Sequence, residues 1–351
     1  MTRHKKLTIF SGCYTALITP MTQNGQIDYD GLHNLIDFQI KNGVKGILAV
    51  GTTGESPTLD WFEHSKVIEK TCVFAQKKVH TIAGTGSNST KESIEGTEHA
   101  RNAGVDAVLL VDPYYNGPSS LEIRREYLEP IASKFPDVQV IPYIIPGRTG
   151  TQLLPQDIAI LHAQYPNVSC VKEATGDLKN SELTRKFCGE DFDILSGDDD
   201  KTLTLMASPE IAASGVISVA SNVAPRTVSD MVHYLLDGDK ESANVLAQAL
   251  QPLFNIVTVK TQEPSPYGPV VCKARNPLAY KTLMNILGMP SGPCRQPLGK
   301  MTRNGVDLVL TNVRKIYESN PQVLEPISDY FGVDLQDRLY NPKYIEGLYY
   351  A

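Results

Sequence analysis

A lysine directly after an apolar, β-rich run is the most unusual chemical feature of this sequence. Val168–Val171 is followed by Lys172 and then by Glu-Ala-Thr-Gly. Lysine is rarely buried because its charge is costly to desolvate, so one interpretation is a snorkelling or salt-bridged surface residue. In a desolvated site, however, the pKa of Lys172 would fall, and its free amine could attack a ketone to form a Schiff base.

Hydroxyl, phenol and guanidinium groups follow other apolar runs in the same way. The small-residue turn Gly51–Glu55 presents Thr53, and its backbone N–H groups could approach an anion. Tyr115 and Tyr143 end further runs and could transfer protons, while Arg148 could clamp a carboxylate through two hydrogen bonds. Each of these residues alone could equally belong to a tight turn or to barrel packing. Together they favour a catalytic site that uses imine chemistry.

The elements that position these residues are predicted from the hydrophobic pattern. Eight short β-rich runs start 23 to 34 residues apart, each followed by a helical pattern, which is the length of one parallel β-α unit. Eight such units with nearly continuous apolar strands favour a closed (β/α)8 TIM barrel over an open doubly wound sheet. The active site of such a barrel lies at the carboxyl ends of the strands. The predicted strands are Tyr14–Ile18, Gly46–Val50, His80–Ala83, Ala107–Val111, Val138–Ile144, Val168–Val171, Phe192–Leu195 and Gly215–Val219.

The pattern changes after about residue 240, where the strand signals stop. Three helices are predicted there, at Leu246–Val259, Pro277–Leu287 and Gly305–Ser319. The tail from Asn320 onward is too rich in aromatic residues for a disordered linker, so we expect it to pack against the rest of the chain. We therefore divide the chain into a catalytic barrel, residues 1–240, and a C-terminal helical domain with an extended tail, residues 241–351.

Composition excludes several classes of function. The 351 residues are 41% hydrophobic and 21% charged with a net charge of −6, which is typical of a globular protein and argues against nucleic-acid or anionic-membrane binding. No apolar run approaches the ~20 residues of a membrane span, and the N-terminus has no apolar targeting region. The six cysteines form no C-x-x-C pair and the histidines no H-x-x-x-H pair, so no metal site is predicted. We expect a cytoplasmic chain, or one whose targeting segment has been removed, with free thiols.

Several ordered motifs resemble the dihydrodipicolinate synthase family, which is part of the superfamily of pyruvate-dependent class I aldolases and N-acetylneuraminate lyase. The resemblance spans roughly residues 12 to 300. Six motifs in this order are specific, whereas each one alone would be weak. They are Gly51-Thr-Thr-Gly-Glu55, Asp112-Pro-Tyr-Tyr-Asn116, Pro146-Gly-Arg-Thr-Gly150, Val171-Lys-Glu-Ala-Thr-Gly176, Ser196-Gly-Asp-Asp199 and Gly215-Val-Ile-Ser-Val219.

This resemblance implies a specific reaction. Members condense pyruvate with L-aspartate-4-semialdehyde to give 4-hydroxy-tetrahydrodipicolinate in lysine and diaminopimelate biosynthesis, with a barrel, a C-terminal helical domain and a homo-oligomer built as a tight dimer or a dimer of dimers. By this match Lys172 forms the imine with pyruvate, and no other cofactor is needed. Thr53, Tyr143 and Tyr115 would form a proton relay, with Tyr115 reaching into the neighbouring subunit's site.

The resemblance also implies ligand contacts. Arg148 would bind the carboxylate of the semialdehyde, the Thr52–Thr53 turn would hold that of pyruvate, and the carbonyl of Ile217 would lie beside the imine. Many members are inhibited by L-lysine at the tight-dimer interface. The residues corresponding to that site are Ser56, Trp61, His64, Asn88, Glu92 and Tyr114. Simpler interpretations remain for three of them: Asn88 could lead into a helix, His64 could be a solvated helix residue, and Trp61 could anchor an interface.

The sequence departs from the family pattern at three places. Pro142 lies inside the fifth predicted strand, where it removes a ladder N–H, so a local bulge is expected. Ile144 replaces the asparagine that commonly follows the relay tyrosine, which predicts a more apolar pocket. The tail beyond about residue 315 is longer than in typical bacterial members, and the resemblance gives it no function.

Two other functions are compatible with parts of this pattern. Another pyruvate-dependent aldolase, of the N-acetylneuraminate lyase or 2-keto-3-deoxy-sugar-acid type, would share the lysine, the relay tyrosine and the Gly51–Glu55 turn. Such enzymes generally lack Arg148, which makes this residue the discriminator. A catalytically silent barrel that binds an amino acid is a third interpretation, and the intact set of Lys172, Tyr143, Tyr115 and Thr53 argues against it. Gly84-Thr-Gly86 lacks the third glycine of a dinucleotide fingerprint, so NAD is not expected.

Overall fold

Eight parallel strands in chain order form a closed barrel, which confirms the predicted (β/α)8 fold. The structure is a computed structural model and describes residues 10–351. The N-terminal segment in which no targeting region was expected, residues 1–9, lies outside the described residues. The barrel strands are β1 Gly12–Ala16, β2 Gly46–Ala49, β3 His80–Gly84, β4 Ala107–Val111, β5 Gln139–Ile144, β6 Cys170–Glu173, β7 Asp193–Ser196 and β8 Gly215–Ser218.

The strand residues are apolar on both faces because each strand lies between the barrel interior and the surrounding helices. One buried cluster fills the interior and includes Tyr14, Leu48 and Ile141. The outward-facing residues, such as Val140 and Ile194, pack instead in a larger cluster with the helices. The alternation of side chains along each strand separates the two clusters.

Helices follow the barrel strands and continue into the C-terminal region. Several begin at a side-chain cap: Asp28 accepts a hydrogen bond from Gly31 N, and Asp60 forms a capping box with Glu63. The helices are α1 Tyr29–Lys41, α2 Trp61–Ala75, α3 Thr90–Ala103, α4 Ser120–Glu122, α5 Glu129–Lys134, α6 Pro146–Thr149, α7 Pro155–Gln164, α8 Leu178–Cys188, α9 Thr202–Ala207, α10 Pro225–Asp237, α11 Lys240–Phe254, α12 Leu278–Leu287, α13 Arg303–Ser319, α14 Glu325–Phe331 and α15 Leu335–Tyr340. A π-helical turn, Ile123–Leu128, joins α4 to α5.

The two departures expected in β5 have a different outcome from the prediction. The register between β4 and β5 continues through Pro142, so the expected bulge is not seen on that side. The backbone N of Val140 donates a hydrogen bond to a residue on the side of β5 that faces β6. Because backbone N–H groups alternate in direction along a strand, the nitrogen of Pro142 lies on the same side. The pairing of β5 with β6 begins only at Tyr143, after the proline. Ile144 is fully buried in the outer cluster and does not line the cavity described below, so the expectation that it makes the pocket more apolar is wrong.

The expectation that strands end after residue 240 is also wrong. Strands β9, Thr258–Glu263, and β10, Val270–Arg275, form an antiparallel hairpin. The predicted helix Leu246–Val259 ends earlier, since α11 stops at Phe254. The sequence contains a signal for this hairpin, because β-branched residues flank a turn that contains three prolines and a glycine.

The aromatic tail packs against the barrel. Tyr330 and Phe331 of α14 contact the ring of Phe38 in α1, with ring centroids 5.4 and 5.2 Å away, and the Tyr330 hydroxyl donates to Asp37. At the end of the chain, Tyr350 N bonds to the carbonyl of Met301. The tail therefore covers the outer face of α1.

None of the helices between residues 10 and 351 is both long and apolar enough to span a membrane.

Candidate active site

The carboxyl ends of the strands surround one cavity of about 360 Å³. Predicted catalytic and ligand-binding residues meet there, because parallel strands bring their ends to the same rim. The cavity brings together the two groups of residues that the resemblance assigns to the substrates and to lysine inhibition. Its lining includes Thr52, Ser56, Trp61, His64, Glu92, Tyr114, Tyr143, Ile145 and Arg148.

Lys172 lies at the end of β6, beside Tyr143 on the neighbouring strand β5. It is only 5% exposed, and its Nζ lies over the ring of Tyr143, 4.2 Å from the centroid, and forms no ion pair with residues 10–351. Burial lowers the pKa of Lys172 to about 8, an effect that the carboxylates of Asp198 and Asp199 oppose. Tyr143 lines the cavity, and the amine of Lys172 contacts the face of the Tyr143 ring. The snorkelling interpretation is therefore wrong.

The loop after β7 makes room for this lysine. A Cβ at Gly197 would lie 2.7 Å from the Cβ of Ala174 and 3.2 Å from Cε of Lys172, so only glycine fits without displacing them. Asp199, two residues later, is buried and accepts hydrogen bonds from the backbone N–H groups of Val219 and Ala220 at 2.9 and 3.1 Å. The loop thus fixes the end of β8 as well as the space around the amine.

Thr53 is buried and hydrogen-bonded to a residue that the sequence analysis missed. Its Oγ1 accepts from Nδ2 of Asn276 at 2.9 Å. The backbone carbonyl of Asn276 in turn accepts from Nη2 of Arg148 at 3.1 Å. An asparagine before a proline indicates only a turn, and nothing in the sequence indicates that Asn276 lies beside residue 53. The C-terminal region thus contributes to the site, directly after hairpin β9–β10.

Tyr143 is buried, and this burial raises its pKa to about 12, with the nearby Arg148 guanidinium acting in the opposite direction. The phenol is therefore protonated at neutral pH and available as a proton donor. In the part of the chain that the structure describes, the Thr53 hydroxyl bonds to Asn276 rather than to Tyr143. Ile217 lies in β8 with its side chain in the barrel interior, and the position of its carbonyl beside an imine stays a prediction.

Tyr114 and Tyr115 have opposite surroundings. Tyr114 lines the cavity, and its backbone N donates to Oδ1 of Asn88 at 2.7 Å. The side chain of Tyr115 is 86% exposed and lies outside the cavity of its own barrel. Asn88 precedes α3, but the residue that caps this helix is Ser89. The relay role of Tyr115 therefore stays a prediction, because its side chain does not line the cavity of its own barrel.

Five of the six residues that the resemblance assigns to lysine inhibition line the same cavity, whereas Asn88 contacts the backbone N of Tyr114. Nε2 of His64 lies 3.1 Å from the Ser56 hydroxyl, and the Trp61 ring packs edge-on against His64 at 5.1 Å. Burial lowers the pKa of His64 to about 4, so the interpretation of His64 as a solvated residue is wrong. The Glu92 carboxylate accepts a hydrogen bond from the Ser87 hydroxyl.

Between residues 10 and 351, no cluster of three or more His, Cys, Asp or Glu side chains is suited to a metal ion.

Comparison with known proteins identifies the family of this chain. The sequence pattern of the dihydrodipicolinate synthetase family matches residues 9–315. The 4-hydroxy-tetrahydrodipicolinate synthase of Methanococcus maripaludis is 42% identical over 293 residues, which are 84% of this chain and 94% of the relative. The family match includes the whole barrel and the hairpin, and it ends within α13.

Two solved structures are similar in fold and have informative ligands. The enzyme from Cyanidioschyzon merolae with lysine bound is 32% identical, with a TM-score of 0.80 over 88% of this chain and 99% of that one. The chloride-inhibited dihydrodipicolinate synthase of Acinetobacter baumannii, complexed with pyruvate, is also 32% identical, with a TM-score of 0.79 over 87% and 98%. This chain belongs to the dihydrodipicolinate synthetase family.

Proposed function

We propose that this protein condenses pyruvate with L-aspartate-4-semialdehyde through an imine at Lys172, giving 4-hydroxy-tetrahydrodipicolinate. Membership of the family makes the protein a pyruvate-condensing lyase of the lysine pathway. The observation that supports the imine most directly is a buried amine with a pKa of about 8 beside the cavity. At pH 7.5 about a quarter of such an amine is neutral, against roughly 0.1% of an ordinary lysine.

The first step would be attack of this neutral amine on the ketone of pyruvate. The C–N bond forms as the carbonyl oxygen takes up a proton, and loss of water from the carbinolamine then gives the imine. A proton leaves the methyl group to give an enamine, whose carbon attacks the aldehyde of the second substrate. Pyruvate would reach Nζ past Tyr143, because the ring of Tyr143 lies against the amine.

Proton transfers in these steps require hydroxyl groups that can both accept and donate. Tyr143, with its pKa raised to about 12, would be the proton donor closest to the imine. Thr53 and Tyr115 would complete the relay in our proposal. Because the Tyr115 side chain is mostly exposed, it would serve a partner subunit, so the active form would be a tight homodimer or a dimer of dimers.

Two positions suit the two substrate carboxylates. The Thr52–Thr53 turn would hold pyruvate close to Lys172, while Arg148, at the cavity wall, would bind the semialdehyde. Arg148 also argues against a sugar-acid aldolase, whose second substrate presents hydroxyl groups instead. The relative from A. baumannii is complexed with pyruvate, which supports pyruvate as the first substrate here.

We also propose that L-lysine binds in the outer part of the cavity and inhibits the enzyme. The Glu92 carboxylate could pair with an ammonium group, and the amide N–H of Asn88 could donate to a carboxylate, since its oxygen already accepts from Tyr114. The C. merolae relative with lysine bound supports this proposal.

All six cysteines lie within the described residues and are free thiols. This supports a reducing compartment, which we propose to be the cytoplasm.

Covalent trapping tests the central step. Borohydride reduces an imine to a stable secondary amine, so pyruvate with borohydride should add one reduced pyruvoyl group to Lys172. Peptide mass spectrometry would locate the adduct. Lys172→Arg should abolish it, whereas Lys201→Arg, at an exposed lysine in the same rim, should retain it. An adduct on another lysine, or none, would contradict the mechanism.

Mixed dimers test the role of Tyr115. Lys172→Ala and Tyr115→Phe are each expected to be inactive, but a mixed dimer would place both lesions in one site and leave the other intact. Activity should therefore reappear after subunit exchange, as monitored by native mass spectrometry. If exchange occurs without recovery, Tyr115 serves its own barrel.

A further inference from the structure

The turn that carries Thr52 and Thr53 has a backbone that must be held in place. Glu55, its last residue, has a φ of 59°, in the left-handed region that is unfavourable for residues other than glycine. Its side chain is fully buried, although the turn lies at the cavity rim. Something other than local preference therefore stabilises this conformation.

Within residues 10–351, the partners of the Glu55 carboxylate all lie in the C-terminal region. Its Oε1 lies 2.6 Å from Nζ of Lys281 in α12, and its Oε2 accepts from the backbone N of Arg295 at 2.8 Å. Lys281 is 1% exposed, and 226 residues separate it from Glu55. The other two contacts of Nζ are the carbonyls of Thr19 at 3.1 Å and of Pro293 at 2.8 Å.

This arrangement fulfils the condition under which a buried ion pair is tolerated. The three protons of the ammonium group match three oxygen acceptors, so neither charge lacks a hydrogen-bond partner. Thr19 ties the pair to the turn a second time, because its hydroxyl donates to the carbonyl of Gly54 at 2.7 Å. We call Lys281, Glu55 and Thr19 the turn clamp.

We propose that Lys281 is a positioning residue that acts through Glu55 to hold the Thr52–Thr53 turn in the geometry that binds pyruvate. Lys281 does not line the cavity and so would not touch the substrates. The inference rests on the proposed function, in which this turn binds the pyruvate carboxylate and Arg148 binds the semialdehyde. Loss of the clamp should therefore impair one substrate selectively.

The test removes both charges so that no unpaired ion stays buried. In the double variant Lys281→Met with Glu55→Gln, kcat/KM for pyruvate should fall about 10- to 100-fold, as expected when a reacting group is misplaced by about 1 Å. The KM for the semialdehyde should change less than about twofold, because the contact of Arg148 with Asn276 is intact. Borohydride trapping at Lys172 should slow at low pyruvate concentration and recover at saturation.

A matched ion network outside the site provides the control. Nε of Arg124 bonds to Oδ1 of Asp157 at 2.7 Å, and Arg124 also bonds to Glu129. Arg124→Met should lower the melting temperature without changing the ratio of the two KM values. A double variant at the clamp with wild-type kinetics for pyruvate, or with equal losses for both substrates, would overturn the proposal.

A second variant covers the case in which the double variant does not fold. The double variant Lys281→Gln with Glu55→Gln keeps hydrogen-bonding side chains at both positions without a buried charge, and because glutamine is shorter than lysine, the same selective loss for pyruvate is expected. Unchanged pyruvate kinetics in this folded variant would also overturn the inference. If wild-type Lys172 forms no adduct with pyruvate, the proposed function itself fails, and this outcome is separate from the kinetics of the clamp variants.

Discussion

The two buried lysines of residues 10–351 have opposite surroundings. Lys281 contacts three oxygen atoms, one of them from the buried carboxylate of Glu55. Lys172 has the face of an aromatic ring beside it, and the carboxylates of Asp198 and Asp199 act only from a distance. One site therefore stabilises an ammonium ion, whereas the other destabilises it and so increases the neutral fraction of the amine.

This difference shows that the partners of a buried lysine, rather than its burial, determine its chemistry. A fully hydrogen-bonded ammonium group is held in one place and does not react, which suits a residue that fixes a turn. A desolvated amine without a paired carboxylate is destabilised in its charged form. This desolvation lowers the stability of the folded protein, and because it leaves more of the amine neutral, it also makes the amine a nucleophile. The following predictions test this contrast.

The largest stability effect is expected at the turn clamp. Lys281→Met leaves the carboxylate of Glu55 buried without its cation and should destabilise the protein by about 3–5 kcal/mol. Urea unfolding at pH 7 would measure the change. The double variant with Glu55→Gln should recover most of the loss, and failure to recover would mean that packing by the lysine stem, not charge, is what matters.

The strands of the barrel could be predicted because each is an apolar run of the right length, with turn residues between the units. Hairpin β9–β10 is not predicted because its strands are only partly buried: the predicted helix Leu246–Val259 takes in the first two residues of β9, and no element is predicted for the rest of the hairpin. Hydrophobic periodicity reports burial, and it is weak where an element lies at the surface.

The site was predictable only in part, for a different physical reason. Lys172 can be predicted because a charged residue comes directly after an apolar strand. Its neighbours in the site can be predicted because a barrel brings the ends of its strands together. Asn276 and Lys281 cannot be predicted as site residues, because an asparagine before a proline and a lysine in a helix are common at protein surfaces. Their contacts with Thr53 and Glu55 join positions more than 220 residues apart, and no local pattern encodes them.

Lys172 should show the opposite stability effect to Lys281. Its pKa is about 8 in the folded protein and near 10.5 in an unfolded chain, so the buried charge costs at most about 3 kcal/mol below pH 8. Lys172→Met should therefore raise the free energy of unfolding at pH 7. Between pH 8 and 10.5 the wild type gains stability relative to the variant, because only its unfolded state still binds the proton. If the difference in free energy of unfolding between Lys172→Met and the wild type does not decrease over this pH range, the assigned pKa is wrong.

Imine formation should follow the same titration. With pyruvate well below saturation, the rate depends on the neutral fraction of Lys172, so it should rise about tenfold per pH unit below pH 8 and level off above it. Rapid-quench trapping with borohydride would measure this rate. A rate that continues to rise towards pH 10 would indicate a lysine with an ordinary pKa, and the contrast between the two lysines would disappear.

The smallest effect is expected from the more distant carboxylates around Lys172. Asp198 raises the pKa of this lysine, so Asp198→Asn should lower it further and move the pH profile of imine formation to lower pH. The variant should consequently form the imine slightly faster than the wild type below pH 8, where the neutral amine is scarce. Asp199 is unsuitable for this test, because its carboxylate also holds the backbone of Val219 and Ala220 at the end of β8. Asp200→Asn, which removes a half-exposed carboxylate paired with Lys201 in the same loop, is the matched control and should leave the profile in place. A shift to higher pH in Asp198→Asn would show that this carboxylate acts on the amine through the geometry of the loop rather than through its charge.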